Sequence, residues 1–249
     1  MGVILSYNKF LKTYKTRGYR IKHLENYKPL FPIKTNPKLS GIIADLIGDG
    51  ILQGDPKWRL DFTSNEVDEL KRFEKEIFSL FSVRGKIRKC SSNKYSTYNI
   101  AINSSPIARI LYLCGVPSGQ KVLKSFKIPS WILEDKECFR RFCRRLFTCE
   151  GNIAYEKNRK LPQIRMELWK KENLIKDAET FMSQIQKSLK KYYFIDVTVK
   201  IQNRINIRKD KIKTKPVRLY IHGESVFRFF REIGFEGKKQ KHLKALLNN

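Results

Sequence analysis

Two stretches decide the reading of this chain: LSGIIADLIGDG, Leu39 to Gly50, and FRRFCRRLFTCEG, Phe139 to Gly151. Each reads as a helix that ends in an acid and then a glycine. In the first, Leu39, Ile42, Ile43, Leu46 and Ile47 follow the i, i+3, i+4, i+7, i+8 spacing of a buried helix face. Gly41, Ala44 and Gly48 form a second face, small enough for another backbone to approach closely. In the second, Phe139, Phe142, Cys143, Leu146 and Phe147 make the apolar stripe.

The segments beyond the two helices also match. Leu60 and Phe62 alternate with Arg59, Asp61 and Thr63; Ile164, Met166 and Leu168 alternate with Gln163, Arg165, Glu167 and Trp169. Period two marks a half-buried strand. Amphipathic helices come next, near 66–81 and 173–191. Further alternating strands lie at 83–89 and 95–103, and at 195–202 and 217–222. Short helices near 106–113 and 224–232 complete each half, and each ends at a glycine that turns into a lysine. Both halves thus read helix, two strands, helix, two strands, helix. Pro129 interrupts the periodicity and marks the boundary. The chain divides into a basic N-terminal extension (1–35), a first half (36–128) and a second half (129–249).

Asp49 and Glu150 stand where a helix ends. A carboxylate there faces the negative end of the helix dipole, a cost of about 0.3–1 kcal/mol. Gly50 and Gly151 suit the left-handed position past a helix end. If the two helices pack side by side, the acids and the last-turn carbonyls form an oxygen-rich cluster suited to a hard divalent cation. Such an ion activates water and stabilises a leaving oxygen in phosphodiester hydrolysis.

Composition narrows the partner. The 249 residues hold 52 Lys and Arg against 24 Asp and Glu, a formal charge of +28. That excess points to a polyanion. No apolar run approaches the roughly 18 residues of a membrane span. The five cysteines are odd in number and lack CxxC spacing, so they read as free thiols in a reducing, intracellular setting. Three scattered histidines argue against a zinc or histidine-based centre, and no glycine-rich phosphate loop is present.

Strand parity names the residues that face the polyanion. They are Arg59, Asp61 and Thr63, then Arg84, Lys86 and Arg88, then Thr97 and Asn99 in the first half. In the second they are Gln163, Arg165, Glu167 and Trp169, then Thr198, Lys200 and Gln202, then Arg218 and Tyr220. Such side chains on a β-ribbon read base edges in the major groove. Residues 200–218 hold eight Lys or Arg and one Asp, as expected of a loop or extended hairpin gripping phosphate. Lys9, Lys12, Lys15, Arg17, Arg20 and Lys22 make the N-terminal arm basic as well.

At these residues the chain resembles the LAGLIDADG homing endonucleases in their single-chain form with two motif copies. The copies are IIADLIGDG, Ile42 to Gly50, and CRRLFTCEG, Cys143 to Gly151, and the likeness runs over about 36–249. The resemblance implies an α+β fold of two pseudo-symmetric αββαββα halves, with the motif helices between them. The antiparallel sheets would form a saddle over double-stranded DNA. It implies a monomer that cuts both strands at a specific site, leaving 3′ overhangs, as intron or intein homing requires. Asp49 and Glu150, with the carbonyls of Gly48 and Cys149, would hold Mg²⁺ or Mn²⁺. Lys121 and Lys239 would support the water network around the metals. Two departures stand out: Arg145 replaces the first motif glycine, and Asp45 fills a site that is usually apolar. Their matched positions suggest a pair across the interface. The alternative reading is a relative that binds RNA as a splicing cofactor, or DNA without cutting.

Overall fold

In the computed structural model, residues 2–14, 19–90, 97–155 and 161–248 are described, with backbone alone for 19–21. Lys15, Arg17, Tyr95 and the side chain of Arg20 therefore lie outside the described residues. The chain forms two compact units, Met1–Gly119 and Gln120–Asn249.

The first unit opens with β1 (Val3–Leu5), α1 (Tyr7–Leu11), α2 (Tyr19–Glu25) and β2 (Ile33–Lys34), β1 pairing antiparallel with β2. Leu5 and Phe10 are buried, and Arg109 Nη1 donates to the Thr13 carbonyl at 2.7 Å. This extension is thus part of the first unit's packing.

The repeat comes next as α3 (Pro37–Ile47), β3 (Gly50–Gln53), β4 (Arg59–Ser64), α4 (Val67–Phe81), β5 (Lys86–Lys89), β6 (Tyr98–Ile102) and α5 (Ser105–Leu113). Asn36 caps α3 by accepting from the Lys38 amide at 2.8 Å, and Pro37 fills the first turn, where no amide donor is needed. The sheet runs β3-β4-β6-β5, antiparallel throughout. Leu60, Phe62, Ile100 and Ile102 are buried, as are Leu70, Phe73 and Ile77 of α4; the rings of Phe62 and Phe73 stack at 4.8 Å.

The second unit begins with α6 (Ser130–Glu134) and continues as α7 (Lys136–Glu150), β7 (Gly151–Ala154), β8 (Gln163–Lys171), α8 (Ile175–Tyr193), β9 (Thr198–Ile201), β10 (Asn206–Ile207), β11 (Lys213–Ile221), α9 (Glu224–Glu232) and α10 (Gly237–Leu247). Its sheet runs β10-β11-β8-β7, with β9 also on β11. Leaving out β10, the strand order is first, second, fourth, third, as in the first unit. The αββαββα pattern therefore occurs twice with one topology. The basic stretch expected as loop or hairpin includes the β10–β11 hairpin. The core gathers Ile164, Met166, Val217, Leu219 and Ile221 with Phe181, Ile185 and Leu189 of α8 and Phe229 of α9.

Local details correct the sequence reading. The first motif helix stops at Ile47, so Asp49 sits in the turn before β3, whereas Glu150 is the last residue of α7. Neither Gly50 nor Gly151 takes a left-handed φ. Their need for glycine is steric: a Cβ on Gly50 would lie 2.9 Å from Leu46 Cα, and one on Gly151 would strike the Phe147 carbonyl oxygen and lie 2.9 Å from the Phe235 ring. Among the left-handed glycines, Gly115 (φ 117°) and Gly234 (φ 67°) lie just past α5 and α9. Apart from those corrections, Asp45 and Arg145 each have a partner within their own unit. Asp45, fully buried, accepts from Arg72 Nη2 of α4 at 2.7 Å. Arg145, 1% exposed, donates to Glu236 at 2.6 Å.

Candidate nucleic-acid interface

The register of each sheet sorts the expected contacts. In the first unit Gln53 pairs with Arg59, Asp61 with Ala101, Thr63 with Asn99, Lys86 with Ala101 and Arg88 with Asn99. Directly paired residues share a face, so these polar side chains line one face of the sheet. Thr97 precedes β6, and its carbonyl accepts from the Cys90 amide at 2.9 Å. The face is internally bonded. Arg59 meets Asp61 through Nε and Nη2, both at 2.8 Å, and Gln53 Nε2 donates to Asp61 at 3.1 Å. Asn99 donates to Thr63 Oγ1 at 3.3 Å. Arg84 is a correction. It precedes β5, its guanidinium lies 4.0 Å over the Phe78 ring, and it meets Glu74 at 3.4 Å, so it packs on α4 instead of the strand face.

In the second unit Glu167 pairs with Arg218, Arg165 with Tyr220, Trp169 with Pro216, and on the other side Lys200 with Arg218 and Thr198 with Tyr220. Gln163, Arg165, Thr198, Lys200, Arg218 and Tyr220 line an open groove of about 550 Å³, together with His222. Arg165 Nε donates to Gln163 at 2.6 Å. Gln202 lies just past β9, and its side chain donates to the Lys200 carbonyl at 3.3 Å. Three participants were not named from sequence: Gln53, His222 and Arg204, the last of which binds Glu167 at 2.7 Å. Arg204 falls between two strands, where parity carries no information.

Asp49 and Glu150 are both exposed. Gly48 closes α3, its backbone N–H donating a hydrogen bond to the Ala44 carbonyl at 2.8 Å. At the end of α7, Lys239 of α10 donates to the carbonyls of Thr148 at 2.6 Å, Cys149 at 3.3 Å and Gly151 at 2.7 Å. The last carbonyls of a helix lack intrahelical donors, and an ammonium satisfies them while offsetting the dipole. Lys239 therefore supplies positive charge at the helix end that carries Glu150. The Glu236 amide adds a bond to Thr148 Oγ1 at 3.0 Å, so the start of α10 clamps the end of α7. Among the described residues no group of three or more His, Cys, Asp or Glu is placed to hold a metal ion.

Lys121 lies in a single 3-10 turn, Lys121–Leu123, at the start of the second unit. Lys170, 1% exposed, donates to the carbonyls of both Lys121 and Lys124 and lies 3.9 Å from the Phe126 ring centre. Burial pushes the Lys170 ammonium down to about 8 from 10.5. Between those values the unfolded chain holds a proton that the folded chain has lost, so the contribution of Lys170 to stability rises with pH across that window. Urea midpoints at pH 7.5, 9 and 10 should show wild type gaining on Lys170→Met by up to about 1.4 kcal/mol per pH unit. A constant difference would show that Lys170 keeps its proton throughout.

Burial also raises the thiols of Cys114, to about 12, and Cys143, so neither is a nucleophile at neutral pH. No helix among the described residues is long and apolar enough to cross a membrane.

The fold is that of the LAGLIDADG endonucleases. The homing endonuclease I-WcaI, bound to its DNA recognition sequence, superposes with a TM-score of 0.54 at 11% identity over 93% of this chain and 96% of that one. I-DmoI in complex with DNA and Mn gives 0.51 at 13% identity over 79% and 96%. WhiA from Thermatoga maritima gives 0.52 at 15% over 88% and 63%. No family model matches the sequence. Among curated proteins, the chain is 27% identical to the tRNA-splicing ligase RtcB of Pyrococcus abyssi over 99% of its own length but 27% of that protein. It is 28% identical to the replication factor C small subunit of Methanocaldococcus jannaschii over 72% of its length and 10% of that protein. The chain thus spans about a quarter of one relative and a tenth of the other.

Proposed function

We propose that this chain is a site-specific double-strand DNA endonuclease of the homing type, acting as a monomer with divalent metal ions. The observation that carries the reading is the duplication itself. An acid stands at the junction of the motif helix and the strand after it in both αββαββα units, and each unit has a polar antiparallel sheet face. The +28 charge suits a polyanionic substrate. The curated relatives support the homing class. One segment of this kind occurs as a fraction of two proteins with unrelated names, as expected of a mobile element whose activity neither name describes.

The donors available at the helix ends are oxygens: the Asp49 and Glu150 carboxylates and the carbonyls of Gly48 and Cys149. Mg²⁺ or Mn²⁺ fits such a set, because Mg²⁺ sites commonly use one or two carboxylates with waters and substrate phosphates completing the shell. Bound there, the ion would supply an activated water and a stabilised leaving oxygen. Lys239 sets the charge and position of the Glu150 end. Lys121, whose carbonyl accepts from Lys170, is the lysine that the resemblance matches to Lys239 in the other half. The residues of the two sheet faces bind the duplex and read its sequence.

A salt titration of binding tests the interface. Affinity for a 30-bp duplex should fall linearly in log–log form with a slope of about −6 or steeper, since each neutralised phosphate releases counterions. A flat response would count against the proposed interface, and preference for single-stranded RNA over duplex DNA would favour the splicing-cofactor alternative.

A further inference from the structure

A carboxylate on a surface meant for DNA is electrostatically misplaced, since every phosphate repels it. Glu167 stands in the middle of the second sheet's polar face, directly opposite Arg218. Its two oxygens are fully engaged. Oε1 accepts from Trp169 Nε1 at 2.7 Å and from Arg204 Nη2 at 2.8 Å. Oε2 accepts from Arg204 Nη2 at 2.7 Å, from Arg218 Nε at 2.7 Å and from Arg218 Nη2. A carboxylate has about four acceptor sites, so Glu167 could accept from a base only by giving up one of these donors.

The donors gain by the arrangement. Arg218 is held along its Nε–Nη2 edge, with Nη1 donating to Tyr220 at 3.3 Å. The Arg204 guanidinium lies 5.2 Å from the Trp169 ring centre. A guanidinium fixed along one edge presents its outer N–H groups in a set direction, and that fork matches O6 and N7 of guanine. Arg218, held through two nitrogens, and Arg204, held through Nη2, give up rotamer freedom before DNA arrives, so binding has less of it to supply.

We propose that Glu167 is a positioning residue. Its carboxylate sets Arg204 and Arg218, with Trp169, as a preformed reader of guanine edges, giving up overall attraction to DNA in exchange for discrimination. This rests on the DNA-binding reading above. It concerns two arginines acting through one acid, where sequence parity suggested direct base contact by Glu167.

The test is selection from a randomised 30-bp duplex pool, with sequencing of the bound fraction and affinities measured on unselected duplex. Wild type should enrich a defined sequence. The isosteric Glu167→Gln should lose preference over two or more base pairs together while binding unselected duplex several-fold more tightly. Added to Arg204→Ala/Arg218→Ala, it should change the preference no further. Glu167→Gln with its preference intact overturns the proposal. So does loss at a single base pair that persists in the double-alanine background, because that marks direct reading by Glu167. A wild-type chain that neither binds duplex nor enriches any sequence overturns the DNA-binding reading and this one with it.

Discussion

Asp49→Asn combined with Glu150→Gln should abolish double-strand cutting, by at least about a thousandfold, and leave duplex binding at or above the wild-type level. Both side chains are exposed, and amide replacements keep their shape, so the fold should not suffer. Removing an acid from the end of α7 even relieves a dipole conflict worth about 0.3–1 kcal/mol. The loss is of the charge that draws a hard cation to the phosphate. Two fewer negative charges should also strengthen attraction to DNA. Either single substitution should already abolish double-strand cutting if each acid serves one strand. The check is supercoiled, nicked and linear product at saturating Mg²⁺. Undiminished linear product from the double variant would show that the acids are surface accidents at two helix ends.

Glu236→Ala should destabilise the second unit by about 3 kcal/mol. Its carboxylate accepts from Arg141 and from Arg145, the latter at 2.6 Å and 1% exposed. Truncation removes this acceptor from two neighbouring guanidiniums, one of them deep in the protein. Glu236→Gln keeps an acceptor without the charge and should cost about 1 kcal/mol. The same residue is the N-cap of α10, whose Lys239 caps the end of α7, so the alanine variant should also cut more slowly than its stability loss explains. Urea denaturation measures the first effect, and a change under about 0.5 kcal/mol would mean that Arg145 does not depend on Glu236.

The repeat was legible because its two periods are robust. A buried helix needs its apolar residues at 3.6 and a half-buried strand at 2.0, and neither pattern in 36–113 or 136–232 is compatible with the other. Parity likewise placed Arg59, Asp61 and Thr63 on one face, because direction alternates whatever the tertiary context. Partners were not legible. Nothing in the order of residues says that Arg204, between strands, reaches Glu167, or that Asp45 meets Arg72; those depend on rotamers and on how elements cross. Arg84 lies off the strand face because the strand begins at Lys86, three residues later than the alternation from 83 suggests. Helix α10 escaped notice because GKKQKHLKALL carries little apolar stripe, and only Leu243 is buried. The glycines after the acids were noticed for the wrong reason: their constraint is a close approach to the preceding helical turn, which a single sequence does not reveal.

The most direct measurement is cleavage of a randomised duplex library by the wild-type chain, in Mg²⁺ and in EDTA, with both strands of every product sequenced. Two similar but unequal acidic helix ends predict products broken on both strands at one enriched sequence, with 3′ overhangs, formed only with the metal. Equal cutting in EDTA, or Mg²⁺-dependent binding of duplex with no sequence-specific breakage of either strand, would contradict it.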